Sequence, residues 1–241
     1  MRKTLTLLAT LGVAAGLTAG CGSQSSPPRV ASLPAKPDPG RFAHQVQNAW
    51  FPLRPGTVYE YRGEDEGKSA RDVLTVTHRT RTIQGVRCTV IDDRLYTRGV
   101  LSEHTTDWYA MDQDGAVWYF GEATATLTRA GKVKDTEGSW RSGVDGARAG
   151  IYMPADPRVG QSASQEYYKG HAEDHFTVVS LVARAKTPGA SSRHALLTKE
   201  FTPLEPGVLD HKLYVRGVGT VLEETVKGAN ERFELVSVRH E

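Results

Sequence analysis

From residue 57 to residue 239 the chain keeps returning to a two-residue alternation of apolar and polar side chains, in short runs separated by glycine-bearing turns. That period sets alternate side chains on opposite faces of an extended strand. The first run, Thr57-Val58-Tyr59-Glu60-Tyr61, follows the turn signal Arg54-Pro55-Gly56. Further runs occupy residues 72–82, 86–92, 94–101 and 105–111, with Gly85 and Gly99 at turns. Asp114-Gly115 then separates residues 108–111 from 116–121, the strongest short hairpin signal in the chain. The second half continues with residues 165–169, 173–183, 195–202, 209–216, 219–226 and 232–239, turning at Gly217-Val218-Gly219 and Gly228-Ala229-Asn230. No stretch of about 12 residues shows helical periodicity. Residues 42–50 are the one candidate for a short N-terminal helix, stopped by Pro52. Parallel strands would need crossover helices that are absent. The expected fold is therefore all-β, an antiparallel meander forming a strongly curved sheet or partly closed barrel.

One region breaks the pattern. Residues 123–164 carry Gly131, Gly138, Gly143, Gly146, Gly150, Pro154, Pro157 and Gly160. A long irregular insertion in a compact domain is usually functional or disordered. Trp140, Ile151, Tyr152 and Met153 within it favour an ordered loop that covers one end of the sheet.

Ahead of the strands lies a segment of different character. Arg2 and Lys3 form a short basic start, an apolar run fills residues 4–18, and no further charge occurs before Arg29. This is the layout of a secretory signal peptide. The run is too short for a comfortable span, which takes about 20 apolar residues. Thr18-Ala19-Gly20-Cys21 resembles a lipobox, at which the cysteine sulfur is lipidated before cleavage. Residues 1–20 thus read as a lipoprotein signal peptide. Residues 21–41, rich in Ser and Pro, read as a flexible linker. Residues 42–241 read as a single β domain. The expected location is extracytoplasmic, anchored by lipid on Cys21 to the cell membrane or outer envelope.

Composition narrows the function. The chain holds 30 basic and 28 acidic residues. Two of the basic ones leave with the signal peptide, so the mature chain is balanced. Nucleic-acid binders show a clustered basic face, so nucleic acid is excluded as a partner. With Cys21 lipidated, Cys88 stands alone, and the alternation Val86, Cys88, Val90 makes it a buried thiol.

Several chemistries were weighed and set aside. His171-Ala172-Glu173-Asp174-His175 invites a zinc site, yet four strand steps separate the two histidines by roughly 13 Å unless residues 170–173 turn. Asp112-Gln113-Asp114-Gly115 resembles the start of a calcium loop but lacks its third ligand and its distal Glu, since position 123 is Ala. Glu122 at best belongs to a different acidic site. Glu166, Glu173 and Glu200 are weak candidates for a cation site on neighbouring strands, and a solvated acidic face with Arg and Lys partners is the preferred account. No GxSxG elbow, SxxK motif or Gly-rich phosphate loop is present, and no cofactor is implied.

The aromatics are more suggestive. Trp108-Tyr109, Trp118-Tyr119-Phe120 and Tyr167-Tyr168 put rings on both faces of the sheet. Either the 123–164 loop covers the second face, or a concave aromatic surface takes up a ligand. Trp108, Trp118, Phe120, Tyr167 and Trp140 are the candidate ligand-binding residues.

Several motifs together resemble a group of uncharacterised bacterial lipoproteins. They are Asn48-Ala49-Trp50-Phe51-Pro52-Leu53-Arg54-Pro55-Gly56-Thr57, Trp108-Tyr109-Ala110-Met111-Asp112 with Gly115-Ala116-Val117-Trp118-Tyr119-Phe120-Gly121-Glu122, and Thr202-Pro203-Leu204-Glu205-Pro206-Gly207. Met153-Pro154-Ala155-Asp156-Pro157 and Gln165-Glu166-Tyr167-Tyr168 fit the same pattern. The likeness covers residues 48–224 and implies no activity and no catalytic residue. The reading is thus a non-enzymatic, membrane-tethered lipoprotein that binds an amphiphilic or lipid-like envelope ligand. A module that docks another envelope protein is the alternative, and a cation-dependent hydrolase using Glu166, Glu173, Asp174 and Glu200 the third.

Overall fold

In the computed structural model the described residues are 33–43 and 45–241. The expected signal peptide, Cys21 and most of the expected linker lie outside them. Five long strands open the domain: β1 (Thr57–Asp65), β2 (Lys68–Ile83), β3 (Val86–Thr97), β4 (Val100–Met111) and β5 (Val117–Leu127). Each pairs antiparallel with its predecessor. Short strands follow: β6 (Val133–Asp135), β7 (Trp140–Arg141), β8 (Arg148–Met153), β9 (Ser162–Ser164) and β10 (Glu166–Tyr167). A second long meander ends the chain: β11 (His175–Lys186), β12 (Ser191–Phe201), β13 (Leu209–Val215), β14 (Gly219–Lys227) and β15 (Glu231–His240).

β1 pairs with β15 over its full length, which joins the two meanders into one sheet of order β10-β8-β5-β4-β3-β2-β1-β15-β14-β13-β12-β11-β9. The sheet's two ends are carried by β10 and β9, and only Gln165 separates these in sequence. β9 pairs with β11 while β10 pairs with β8, and the Gln165 N–H donates to the Asp174 carbonyl at 2.7 Å. The strap 162–167 therefore draws both edges together and nearly closes the barrel. Gly150 on β8 allows the close approach: a Cβ there would stand 2.4 Å from the Ser164 carbonyl oxygen.

Three expectations need correction. Residues 94–101 are not a separate strand, because β3 runs unbroken to Thr97 and turns at Arg98-Gly99. Residues 123–164 are not a covering loop: β5 extends into them, and β6, β7 and β8 add to the wall through β5. Their glycines serve turns, with Gly131, Gly138, Gly143, Gly146 and Gly160 all at positive φ, and the strands between are too short to show a period. Residues 42–50 form no helix among the described positions, and the only helical element there is the 3-10 turn Pro39–Arg41. Asn48 explains the irregular backbone. Its Oδ1 accepts from the N–H groups of Trp50 and Phe51, and its Nδ2 donates to the carbonyls of Gly115 and Pro154. Val46, Trp50, Phe51 and Leu53 are buried by this arrangement and plug one end of the barrel.

Two apolar layers result. The larger lies inside the barrel and includes the plug, Tyr109, Tyr119, Phe176, Leu196, Tyr214 and Phe233. The smaller lies on the outer face around Cys88, Val90, Trp108, Phe120 and Ala149. What covers it is the N-terminal segment. Phe42 packs edge-on against Trp118 and Phe120, at 5.8 and 5.4 Å between ring centres. Gln84 donates to the Ala35 carbonyl and Arg148 to that of Leu33. The end of the expected linker is thus docked against the wall. Cys88 is fully buried, which pushes its thiol up to about 12.

Gly150→Ala tests the closure. Overpacking of this kind costs about 1–3 kcal/mol, so the urea midpoint should fall accordingly, and an unchanged midpoint would mean the strap does not seal against β8.

Candidate functional site

The described residues do not fill the barrel interior. Above the plug lies a cavity of about 590 Å³, walled by β1–β6, β8 and β13–β15. Its floor is aromatic. Phe51 packs on Tyr109 and Tyr152 at 5.3 and 4.6 Å, and Tyr109 stacks on Tyr119 at 4.6 Å with 15° between the planes. Trp140 supports this layer from behind, edge-on to Tyr119 at 5.4 Å. The mouth lies at the opposite end, among Asp65, Glu66 and Lys68 of the β1–β2 turn, Thr97, Thr126 and Glu231.

The wall between floor and mouth is acidic. Eleven carboxylate side chains and three lysines line the cavity. Lys68 is paired with Glu66 at 2.8 Å on the rim. Lys212 sits at depth, 3.2 Å from Glu200 and 3.3 Å from Glu223. Burial alone would lower the Lys212 pKa, but the two carboxylates outweigh it and hold the ammonium charged well above its ordinary range. Glu200 is fully buried and also accepts from Thr198, Tyr214 and Gln165. Its role is to neutralise and fix Lys212.

Asp107 on β4 and Glu122 on β5 are direct cross-strand partners, and both line the cavity. Like charges opposite one another destabilise a sheet. Desolvation, with Asp72 and Glu103 adding to it, pushes Asp107 up to about 6, and desolvation together with the Asp107 charge pushes Glu122 up to about 8. The Tyr119 hydroxyl donates to Asp107 at 2.6 Å and partly offsets this. Glu122 has no hydrogen bond or salt bridge among the described residues. Behind it, burial beside Asp174 drives Glu166 well above the carboxylate range, and the two carboxyls share a hydrogen bond.

The tyrosines complete the lining. Tyr61 donates to the Thr220 carbonyl at 3.0 Å. Tyr59 and Tyr109 are 5% and 7% exposed, and neither hydroxyl has a hydrogen-bond partner among the described residues. Burial pushes Tyr59 up to about 12 and holds Tyr109 well above its ordinary value, so both remain neutral donors.

None of the five aromatic residues expected to bind ligand lines this cavity. Trp108 and Phe120 are buried in the outer layer, where the Arg81 guanidinium lies 4.1 Å over Trp108. Trp118 belongs to the same face and donates its Nε1 to Asp112 at 2.8 Å. Tyr167 lies beneath Arg148, and Trp140 stands behind the floor. The acidic candidates do not form a solvated face, since Glu166, Asp174 and Glu200 are all buried. Glu173 accepts from the Gly170 N–H in a turn and does not join the other two. Residues 168–172 do turn, yet His171 stacks on Tyr168 while His175 stacks on Phe201. Asp112 closes the β4–β5 turn, with its Oδ1 accepting from the Ala116 N–H.

Sequence reasoning missed Asp107, Tyr109 and Tyr119, and left Glu122 unplaced. Strand parity identifies Glu103, Thr105, Asp107 and Tyr109 as one face of β4. On β5 parity fails, because a register shift opposite Trp108 and Tyr109 inserts an extra residue. Gly121, at φ 129°, takes the bulge. It brings Glu122 to the face that holds Tyr119.

No protein-family model matches the sequence, and no curated protein does. Two solved structures overlay on it. A protein from Bacteroides fragilis, described as exported and as having a YmcC-like fold, is 13% identical, with a TM-score of 0.45 over 80% of this chain and 99% of its own. A protein from Parabacteroides distasonis, described as a lipoprotein, is 11% identical, with a TM-score of 0.43 over the same shares. Likeness at that level carries nothing about function to this chain.

Two substitutions check the electrostatics. Lys212→Met should cost about 3–5 kcal/mol in urea unfolding, because it leaves the Glu200 charge buried without its cation; a loss below that of an ordinary surface change would overturn the pairing. For Glu122 the folded pKa is raised, so its contribution is fully present below about 4.5 and is lost as pH rises through about 8. Glu122→Gln should therefore raise the melting temperature at pH 9 and leave it nearly unchanged at pH 4.5. A gain independent of pH would mean the carboxyl is not held in its acid form.

Proposed function

We propose that this chain is an exported, membrane-tethered lipoprotein, without catalytic activity, whose barrel holds an amphiphilic ligand. The cavity carries the reading. At about 590 Å³ it falls within the roughly 300–1,000 Å³ of small-molecule sites. It has the two-part chemistry an amphiphile needs, an aromatic floor and a polar wall. Two carboxyls buried behind the lining are already committed, Glu200 to Lys212 and Glu166 to Asp174. Nothing in the lining sets a nucleophile beside a base, so binding is the simpler use of the space.

The tether supports the same reading. A signal peptide over residues 1–20 and lipid on Cys21 place the domain at an envelope surface, where two acyl chains suffice for stable anchoring. The resemblance to a group of bacterial lipoproteins is part of this proposal. The ligand enters at the acidic mouth and leaves by the same route, since the plug over residues 46–53 closes the other end.

Native mass spectrometry on residues 21–241 with Cys21→Ser, purified from an exporting host, tests the reading. A bound species of small-molecule size is expected, lost when Tyr109→Trp fills the floor. A clean apo mass at every collision energy, from a domain that also takes up no added amphiphile, would overturn it.

A further inference from the structure

The ligand-binding reading leaves the ligand's charge open, and the inference that follows rests on that reading. The cavity wall brings carboxylates from four consecutive strands to one enclosed space: Asp72 on β2, Asp93 on β3, Glu103 and Asp107 on β4, and Glu122 on β5. Of the three lysines in the lining, Lys68 on β2 is paired with Glu66 on the rim, Lys134 lies on the short strand β6, and Lys212 is neutralised at depth. Nothing about the strand pairing requires the arrangement. Neutral polar residues already fill neighbouring inward positions, where Thr105 and Thr124 bond one another at 2.7 Å.

Two further observations point to an occupant. Asp107 and Glu122 face each other directly across β4 and β5, a placement that costs stability as it stands. Tyr59 and Tyr109 are buried residues that line the cavity, and neither hydroxyl has a hydrogen-bond partner among the described residues. A cation set between the two carboxylates would relieve their repulsion. Aromatic faces beneath would add cation–π attraction and apolar contact.

We propose that the cavity selects an organic cation, its ammonium head held by Asp107 and Glu122 and its apolar body laid against Tyr109 and the aromatic floor. An anionic or zwitterionic lipid would set its phosphate against the same carboxylates, and the like charge would oppose it. A bare metal ion fits less well, because no group of three His, Cys, Asp or Glu side chains among the described residues is placed to ligate one.

The protonation of the pair makes the proposal pH-dependent. Among the described residues, the groups facing it are Asp72 from β2, Glu103 from β4, Glu166 from β10, Asp174 ahead of β11, and the Tyr119 hydroxyl. All but the hydroxyl oppose ionisation of the pair. A permanent cation favours the ionised form, so its binding must release protons and strengthen as pH rises.

Isothermal titration of the Cys21→Ser domain with octyltrimethylammonium and with octanoate separates the outcomes. The ammonium should bind, roughly tenfold more tightly at pH 8.5 than at pH 5, and octanoate should not. In Asp107→Asn/Glu122→Gln, with both side chains kept nearly isosteric and folding checked by thermal melting, the ammonium affinity should drop by roughly tenfold or more and lose its pH dependence. Equal binding of both probes, or binding of octanoate alone, would overturn the cation inference while leaving the amphiphile reading intact. Binding of neither probe overturns the inference as well. It takes the amphiphile reading with it only if native mass spectrometry also shows a clean apo mass.

Discussion

The pairing of β1 with β15 holds the rest of the molecule in place. Nine registered pairs run from Thr57 opposite His240 to Asp65 opposite Glu231, and they turn two separate meanders into one sheet. Without that seam each meander would be a curved sheet with two open edges and a half-wet face. With it, the sheet is long enough to bend round on itself, and the strap at residues 162–167 needs to bridge only the gap between β8 and β11. The cavity exists because of this closure. Its residues come from both halves of the chain, and Lys212 from β13 stands within reach of Tyr152 from β8.

An interior of this kind is unusual in how much charge it tolerates. Buried charge is costly unless it is paired and hydrogen-bonded. Near the floor the rule is met in full, since Glu200 receives Lys212 and three further donors. For Asp107 and Glu122 burial favours the acid form instead, and the consequence is their raised pKa values. The contrast separates structural carboxylates, which are complete within the protein, from those that remain incomplete. Incomplete groups facing an enclosed space are the ones to associate with a ligand.

The outer face shows a different economy. Trp108, Phe120 and Cys88 form a dry layer there, roofed by residues that the sequence assigned to a flexible linker. Phe42 is the apolar contact that fixes this segment, and backbone carbonyls of Leu33 and Ala35 accept from the wall. The segment from Leu33 to Phe42 docks on the flank of the barrel that carries β5 and β8.

Local alternation was enough to read the strands. β1, β2, β14 and β15 contain the runs visible in the sequence, β11–β13 match them to within two residues at one end, and the glycine turns at Gly85, Gly99, Gly217 and Gly228 lie between strands. The reason is that a period of two is a property of neighbouring residues. It states which side chains share a face. It does not state which face is inside, and this is where the aromatic candidates were placed on the wrong side. Trp108 and Tyr109 are equal in sequence terms, yet one packs against Arg81 outside and the other stacks on Tyr119 inside. On β5 even the shared face was hidden, because one bulge at Gly121 inverted the parity and carried Glu122 inward. Sequence by itself determined the all-β class, the long strands, the antiparallel connectivity and the expectation of a tether at Cys21. Only the tertiary structure decided which residues meet in the cavity, because closure and a single extra residue in a ladder are set by pairing across the sheet, and no local pattern records them.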